Sequence, residues 1–202
     1  MTAYRDVTQD MPVEEGRVVT LPSLRRPWTF DDLAEIEDDW YRYEVADGAL
    51  LIMSPPSLGH RRVQRRVYDQ LRSHCAGRWE ARMEVDVRLG SDGRTADAGI
   101  VLVEPATALT SVGYEPSDVG LLIEVVSPGS RTTDRAVKPV EYAAAGVPFF
   151  WRIDTDPRVS LAAYRLVGSA YSLVLEASVG VVDLPGPLPL RLRLDALGTA
   201  EL

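Results

Sequence analysis

Alternating and continuous apolar runs predict a chain that is rich in strands. Residues 79–89 alternate strictly between apolar and polar, which predicts a strand covered on one face. Residues 95–103 and 121–126 carry continuous apolar runs, which are typical of strands buried on both faces. Further strand-like segments, separated by Gly and Pro, lie at residues 149–153, 159–166, 171–175 and 190–194.

A hairpin is predicted ahead of these strands. Asp47 and Gly48 interrupt the apolar run over residues 43–53, and an Asp-Gly pair in that position favours a tight turn between two strands. Residues 1–26 show no periodicity. We therefore expect a flexible N-terminal arm over residues 1–26 and a single domain over residues 27–202.

Periodicity and capping signals predict three helices. An apolar stripe predicts a helix over residues 60–74. The stripe consists of Val63, Val67 and Leu71. Thr29 followed by Asp32 is typical of a capping box and predicts a short helix that continues through Ile36. A third, short helix is predicted to end at Gly146.

The order of the elements predicts the architecture. A helix, three strands, a second helix and a fourth strand follow the hairpin, and further β segments come after them. This order predicts an α/β (α+β) domain with an α-β-β-β-α-β core, a mixed sheet flanked by helices, an N-terminal hairpin and C-terminal β pieces. Consecutive strands are usually neighbours, so the strands at 95–103 and 121–126 are expected to be adjacent.

Composition limits both the class of protein and the kind of metal site. The chain has 202 residues, of which 46% are hydrophobic and 26% charged, as in an ordinary soluble domain. No stretch is long enough to span a membrane or to act as a signal peptide, so we expect a cytoplasmic protein. Cys75 is the only cysteine, and only His60 and His74 add imidazoles. A metal site would therefore consist mainly of oxygen ligands, which favours Mg²⁺, Mn²⁺ or Ca²⁺.

The distribution of charge leaves room for local contact with nucleic acid. The formal net charge of −8 argues against a protein that binds nucleic acid through its whole surface. Arginines are nevertheless concentrated on the predicted helix at residues 60–74. Four of them are candidates for contact with a phosphate backbone, namely Arg61, Arg62, Arg65 and Arg66. The alternative interpretation is that they form a solvated outer face of the helix.

One carboxylate lies where packing alone does not explain it. Glu124 interrupts the apolar run 121–126, and burial of a carboxylate is costly unless it is paired, hydrogen-bonded or bound to a metal. Asp97 lies just ahead of the apolar part of the preceding strand, and Lys138 follows Glu124 on the next loop or helix. Two carboxylates and a lysine suit hydrolysis of phosphodiesters, because carboxylates hold the metal ion that activates water and the ammonium stabilises developing negative charge.

Each of these residues also has an ordinary structural interpretation. Glu124 could be a structural carboxylate paired with Arg131 or Arg135. Asp97 could end a turn, and Lys138 could be a surface lysine near the start of a helix. The hypothesis of a site therefore depends on whether the three side chains meet.

A set of motifs spread over residues 28–166 narrows this hypothesis. It comprises residues 60–71 after Met53-Ser54-Pro55, Asp97 before an apolar strand, the run from Ile123 to Pro128, Asp134 with Lys138, Tyr142, Ala145-Gly146-Val147, and the run from Trp151 to Asp154. In combination these motifs resemble the Uma-two family, a bacterial group of predicted restriction endonucleases in the PD-(D/E)XK nuclease superfamily. The core shared by that superfamily is α-β-β-β-α-β, the order predicted above.

The resemblance implies roles for individual residues. It makes Asp97 and Glu124 the metal-binding carboxylates, with Lys138 taking the place of the superfamily's usual lysine, whose position two residues after the glutamate is apolar here. Glu44 and His60 match positions typical of the family, where they would extend the metal site or contact phosphate. The implied cofactor is Mg²⁺, for which Mn²⁺ would substitute, and the implied substrate is DNA.

Three positions near these candidates need comment. Glu84 lies on the polar face of the strand at 79–89, which is either the site face or a solvent-exposed one. Ala96 replaces the proline of the family's Pro-Asp pair, but the carboxylate is kept. Pro139 directly follows Lys138, and proline is harmless at the first helical position but disrupts a helix interior. We therefore predict that the regular helix starts near Pro139 and that Lys138 lies at its entry.

Two functions are compatible with the sequence. The first is a Mg²⁺-dependent endonuclease that hydrolyses DNA, and the alternative is a catalytically inactive nuclease-like domain that binds nucleic acid or a protein partner. They differ over whether Asp97 and Glu124 converge, since one ion cannot bridge carboxylates more than about 8 Å apart. Cleavage of both strands would be simplest for a two-fold homodimer.

Overall fold

The computed structural model describes residues 18–22, 26–36, 41–102 and 113–198. Its strands are β1 (Val18–Pro22), β2 (Arg42–Ala46), β3 (Ala49–Met53), β4 (Trp79–Leu89), β5 (Asp92–Leu102), β6 (Val119–Val126), β7 (Phe149–Asp154), β8 (Ser160–Val167), β9 (Ala170–Ala177), β10 (Val181–Leu184) and β11 (Leu190–Arg193). Its α-helices are α1 (Leu58–Arg72) and α2 (Lys138–Ala144), and a π-helical turn (Thr133–Val137) directly precedes α2. Short 3-10 helices lie at Phe30–Glu35, Pro116–Asp118 and Leu194–Ala196.

Nine of these strands form one mixed sheet. The order is β1-β3-β2-β5-β6-β7-β8-β9, and β4 pairs with β5. β6 and β7 run parallel, whereas the other pairs are antiparallel. The core order α1, β4, β5, β6, α2, β7 confirms the predicted α-β-β-β-α-β arrangement and the α/β (α+β) class. β10 and β11 form a separate antiparallel pair.

The predicted hairpin is confirmed in its turn and its register. Asp47 and Gly48 have φ values of 50° and 72°, so both turn residues are in the left-handed region that a type I′ turn requires. Ala46 pairs with Ala49 across this turn, which fixes the alignment of β2 with β3.

Helices cover both faces of the sheet at β6. Val63, Val67 and Leu71 of α1 pack in one cluster with alternate residues of β6, among them Ile123. Leu122 of β6 packs on the other side in a cluster that contains Tyr142 of α2. All eight residues of β6 are buried as a result, which confirms that this strand is covered on both faces. No helix in the described part of the chain is long and apolar enough to cross a membrane.

The prediction of a flexible arm over residues 1–26 is wrong for residues 18–22. These residues form the edge strand β1, which pairs antiparallel with β3 from Val18 opposite Met53 to Pro22 opposite Ala49. A five-residue edge strand depends on backbone pairing with its neighbour and not on a hydrophobic pattern of its own, so periodicity did not reveal it. Residues 1–17 and 23–25 lie outside the described residues.

The prediction that the regular helix starts near Pro139 is confirmed, because α2 begins at Lys138 and Pro139 lies in its first turn. The segment before it is not a loop, however, since helical structure is continuous from residue 131 to residue 144. In a regular α-helix the Pro139 ring would clash with the carbonyl group of Arg135 and provide no N–H for it. The π-helical turn just before the proline widens the backbone at that point, which lets the helix pass through Pro139 without ending.

The first helix begins with the predicted capping box. The Thr29 N–H donates to the Asp32 carboxylate at 2.7 Å, and the Asp32 N–H donates to the Thr29 carbonyl oxygen at 3.0 Å. The helix that follows is a 3-10 helix. The hydrogen bond from Arg26 lowers the pKa of the Asp32 carboxyl group, against the opposing effect of burial.

Asp32→Asn is expected to lower the free energy of unfolding by about 1 kcal/mol at pH 7, a typical value for the loss of a cap. Because the folded-state pKa of Asp32 is depressed, its stabilisation is present above the unfolded-state pKa of about 3.9 and is lost as the pH falls below it. The loss is complete only once the pH has also passed the lower folded-state pKa, so urea unfolding at pH 7 and pH 2 should show the difference between wild type and variant falling to less than half. A difference that stays constant would contradict this role for the carboxylate.

Gly99 is predicted to be intolerant of any side chain, because a Cβ atom there would lie 2.6 Å from the Leu121 carbonyl oxygen on the paired strand. Gly99→Ala should destabilise the fold by about 1–3 kcal/mol in chemical unfolding. Gly59→Ala on α1 is the matched control, since its Cβ would meet nothing closer than 3.7 Å. That variant should be unchanged or more stable by up to about 1 kcal/mol.

Candidate active site

The site lies at a gap in the hydrogen-bond ladder of β5. One edge of β5 pairs with β4 along its length. The other edge pairs with β2 at Gly93 and with β6 from Ala98 onward, so among the described residues 94–97 have no strand partner on that edge. Backbone N–H and C=O groups that point into such a gap must find other partners.

Side chains from three different elements provide those partners. The Thr95 N–H donates to Glu44 Oε1 of β2 at 3.0 Å, and Lys138 Nζ of α2 donates to the Thr95 carbonyl oxygen at 2.9 Å. Gln64 Nε2 of α1 donates to the Asp97 carbonyl oxygen at 2.8 Å. The gap therefore draws β2, α1 and α2 to one place.

Asp97 and Glu124 lie where β5 and β6 separate. Ala98 and Ile123 are the last paired residues, with Asp97 directly before Ala98 and Glu124 directly after Ile123. Beyond that pair the Val125 N–H donates to Asp97 Oδ2 at 2.7 Å. Both carboxylates are buried, with 1% of each residue exposed. Adjacent strands thus bring the two carboxylates together, as the sequence predicts.

The Asp97 carboxylate is held by one arginine and one histidine. Arg42 Nη1 and Nη2 lie 3.1 and 3.2 Å from Oδ1, and His60 Nε2 lies 2.9 Å from the same oxygen. Burial by itself would raise the pKa of Asp97, but the charge of Arg42 and the contact with His60 outweigh it and lower the pKa. Asp97 is therefore an anion in the folded protein.

Glu124 has different partners and an opposite shift. The Tyr142 hydroxyl donates to Oε1 at 2.7 Å, and Lys138 Nζ lies 3.2 Å from the same oxygen. Burial raises the pKa of Glu124 well above its ordinary value, although the charge of Lys138 opposes this. Pairing of Glu124 with Arg131 or Arg135 does not occur, since these arginines bind Asp156 and Asp154 instead.

Lys138 is the shared partner of the buried acids. Its Nζ lies 3.1 Å from Glu44, 3.2 Å from Glu124 and 3.8 Å from Asp134, and 3% of the residue is exposed. Burial alone would lower the pKa of Lys138, but the charges of Glu124 and Glu44 raise it above its ordinary value. The lysine is a permanent cation between carboxylates.

Glu44 is a member of this cluster. In addition to Lys138 and the Thr95 N–H, it accepts a hydrogen bond from Arg94 Nη1 at 3.1 Å. Burial would raise the pKa of Glu44, but Lys138 and Arg94 outweigh burial and lower it. Arg94 also binds Glu141 of α2 at 2.7 Å, which ties the hairpin, β5 and α2 together.

The other accessory candidates divide into one inside the site and one at its edge. His60 contacts Asp97 through Nε2, while its Nδ1 atom is buried without a hydrogen-bond partner among the described residues. The Glu84 side chain is 60% exposed and lies 3.6 Å from Arg42 Nη2, so it reaches the site only through that arginine.

The arginines of α1 lie outside the pocket at the site. Arg61, Arg62 and Arg65 are exposed, as a solvated outer face would be. Arg65 forms an ion pair with Asp69 at 3.1 Å, and Arg66 donates to the carbonyl oxygens of Leu197 and Gly198. None of the four lines the pocket.

Sequence reasoning missed several residues of the cluster. Arg42 directly precedes the predicted hairpin strand, and Gln64 lies on the buried side of α1 beside the apolar stripe. Asp134 and Tyr142 were noted only as family motifs, and Arg94 lies at a turn in the sequence pattern. The one available signal was that Gln64 lies four positions after His60, and therefore on the same side of the helix.

A pocket of about 290 Å³ opens onto this cluster. Its floor consists of charged residues from β2, β5, β6 and α2, and its rim includes Leu51, Met53, Pro56 and Val137. No group of three or more His, Cys, Asp or Glu side chains within the described ranges is arranged to hold a metal ion. Asp97 and Glu124 are the paired oxygen donors at the floor.

Lys138→Met is predicted to destabilise the protein by about 3–5 kcal/mol, because it leaves buried carboxylates without their cation. Adding Glu44→Gln to this variant removes one uncompensated anion and should restore part of the loss. Urea unfolding of the single and double variants measures the coupling directly. If the two losses simply add, Lys138 and Glu44 do not form the pair described here.

The fold is shared with a protein of known structure. A crystal structure of a "putative nuclease belonging to DUF820" from Anabaena variabilis ATCC 29413 superposes with a TM-score of 0.64 and 17% sequence identity, covering 85% of this chain and 97% of that chain. At that identity the likeness shows a shared fold.

The family model Uma2, described as "Putative restriction endonuclease", matches residues 29–196. The chain therefore belongs to the Uma2 family, which confirms the resemblance seen in its motifs. No functionally curated protein matches the chain significantly.

Proposed function

We propose that this protein is a Mg²⁺-dependent endonuclease that hydrolyses DNA phosphodiester bonds. The observation that carries this proposal is the convergence of Asp97, Glu124 and Lys138 on the floor of one pocket. Membership of the Uma2 family supports the nuclease role. Hydrolysis adds the oxygen of water to phosphorus and breaks one P–O ester bond, which leaves a phosphate monoester and a protonated hydroxyl group.

The donor set suits Mg²⁺, with Mn²⁺ as a substitute. Mg²⁺ is often held by one or two carboxylates, while water and substrate phosphate complete its octahedron. Asp97 and Glu124 provide two such carboxylates in rigid positions, since the Val125 N–H fixes one and the Tyr142 hydroxyl fixes the other. When bound, the ion would polarise the phosphate and lower the pKa of a coordinated water.

The protein's own residues would supply charge and orientation. Lys138 stays cationic, because the charges of Glu124 and Glu44 raise its pKa, so it can stabilise the negative charge that develops on the phosphate. Arg42 lies beside Asp97 with 17% of its side chain exposed and can serve in the same way. Glu44 holds Lys138 in place from the opposite side of the gap.

The alternative is a catalytically inactive nuclease-like domain that binds nucleic acid or a protein partner. It is favoured by the contacts of Asp97, whose Oδ1 atom already bonds to Arg42 and His60. In that case the exposed arginines of α1 would be the contact surface. A two-fold homodimer and a cytoplasmic location stay predictions from the sequence.

Nuclease assays with Glu124→Gln test the proposal. Wild type should cleave DNA with Mg²⁺ or Mn²⁺ but not with EDTA, and Glu124→Gln should lose at least about 100-fold in rate together with Mn²⁺ affinity measured by calorimetry. The glutamine keeps the acceptor for Tyr142, and circular dichroism checks the fold.

Glu80→Gln is the control, because it removes a carboxylate from the exposed part of β4. Its rate and its Mn²⁺ affinity should equal those of wild type. A folded wild type that neither binds Mn²⁺ nor cleaves DNA would favour the inactive domain.

A further inference from the structure

The depth of the site restricts what can reach it. Asp97 and Glu124 are 1% exposed and Lys138 is 3% exposed, so a phosphate must enter the pocket to contact them. The pocket volume of about 290 Å³ lies at the lower end of small-molecule sites, which span roughly 300–1,000 Å³. A space of that size suits a group no larger than about one nucleotide. Paired DNA is a stiff rod that bends over roughly 150 base pairs and cannot enter such a space.

The rim of the pocket includes apolar side chains from two parts of the chain. Leu51 and Met53 of β3 and Pro56 after it contribute three of them, and Val137 of the π-helical turn contributes the fourth. All four side chains are at least partly exposed, so they are available to a ligand. Apolar walls of this kind suit the face of a nucleobase that has left its stack, whereas a duplex presents sugar and phosphate on its outside.

Among the described residues, the cations that line the pocket are largely buried, namely Arg42, Arg94 and Lys138, so the rim does not offer the exposed cations of a duplex-binding cleft. The arginines of α1 do not line the pocket, and Arg65 and Arg66 are engaged with Asp69 and with backbone carbonyl groups. Duplex binding depends mainly on Lys and Arg contacts to many phosphates. The wall instead offers Thr133, whose hydroxyl group suits a single phosphate or sugar.

His60 adds a polar atom for a bound group. Its Nε2 lies 2.9 Å from the Asp97 carboxylate, and its Nδ1 atom is buried with no hydrogen-bond partner among the described residues. His60 lines the pocket. An unpartnered ring nitrogen at this place suits a hydrogen bond with a polar group of a base, a sugar or a water molecule.

Because the site lies deep in a small pocket with an apolar rim and few exposed cations, we infer that it takes an unpaired nucleotide. Its substrate is then single-stranded DNA or an unpaired region within a duplex. This inference rests on the proposed nuclease function. It names the substrate class that the sequence left open.

Three DNA probes of one sequence test the inference: a single strand, a fully paired dumbbell with closed ends, and the same dumbbell with a central unpaired bubble. With Mn²⁺, the single strand and the bubble should be cut at least about tenfold faster than the paired dumbbell, with cuts confined to the bubble. Fluorescence anisotropy with Glu124→Gln measures binding of the same probes without cleavage and should show the same preference.

The outcomes separate the inference from the proposed function. Equal cutting and binding of paired and unpaired probes, within twofold, would overturn the inference and leave the nuclease standing. Preferential binding of unpaired DNA without cleavage by wild type would support the substrate class and overturn the enzymatic function. If the protein neither binds nor cleaves any of the three probes, both the inference and the proposed function are overturned.

A matched pair of variants on the same helical segment tests the rim. Val137 and Val140 are 38% and 69% exposed, but only Val137 lines the pocket. Val137→Asn should weaken binding of the single strand roughly tenfold, the effect of one apolar group in a pocket. Val137→Leu should retain binding, and Val140→Asn should leave it unchanged. Equal effects at both positions would show that the rim does not hold the base.

Discussion

The arrangement depends on one unfilled stretch in the ladder of β5. Thr95 and Asp97 direct backbone groups toward an edge where the pairing of β5 with β2 has ended and its pairing with β6 has not begun. Buried backbone groups without partners are costly, so the fold is stable only if side chains reach them. Glu44, Lys138 and Gln64 do so, and the same contacts place charged groups at the floor of a pocket. The same three side chains therefore satisfy the backbone hydrogen bonds and form the candidate site.

Charge compensation is the second constraint on this cluster. Four carboxyl groups line the pocket with three permanent cations and His60, and burial makes each unpaired charge expensive. The partition is uneven. Arg42 keeps Asp97 ionised, whereas burial raises the pKa of Glu124 despite Lys138. The pKa values of two carboxyl groups on neighbouring strands are thus shifted in opposite directions, and perturbed pKa values are typical of functional sites.

The helical segment that places Lys138 in the site is irregular, because a π-helical turn precedes α2. Pro139 is tolerated in the first turn of α2, and the π-helical turn before it extends the helical segment backward, so Lys138 and Asp134 lie on one continuous segment and are both buried. π-helical turns frequently occur at functional sites, and here the turn reconciles a proline with a buried lysine. The same segment presents Val137 at the rim of the pocket.

The sequence by itself determined the strands and helices of the core, because their hydrophobic periodicity is local, and it marked Glu124, because a carboxylate in an apolar run is a local anomaly. It also indicated Asp97 and Lys138 through the family motifs. Only the tertiary structure decided that Gln64 serves Asp97, 33 residues away, and that Glu44 serves Thr95, 51 residues away. Those contacts satisfy backbone groups that are left unpaired by the way β2, β5 and β6 pair. Pairing between strands that are distant in the sequence produces no periodic pattern of residues from which it could be predicted.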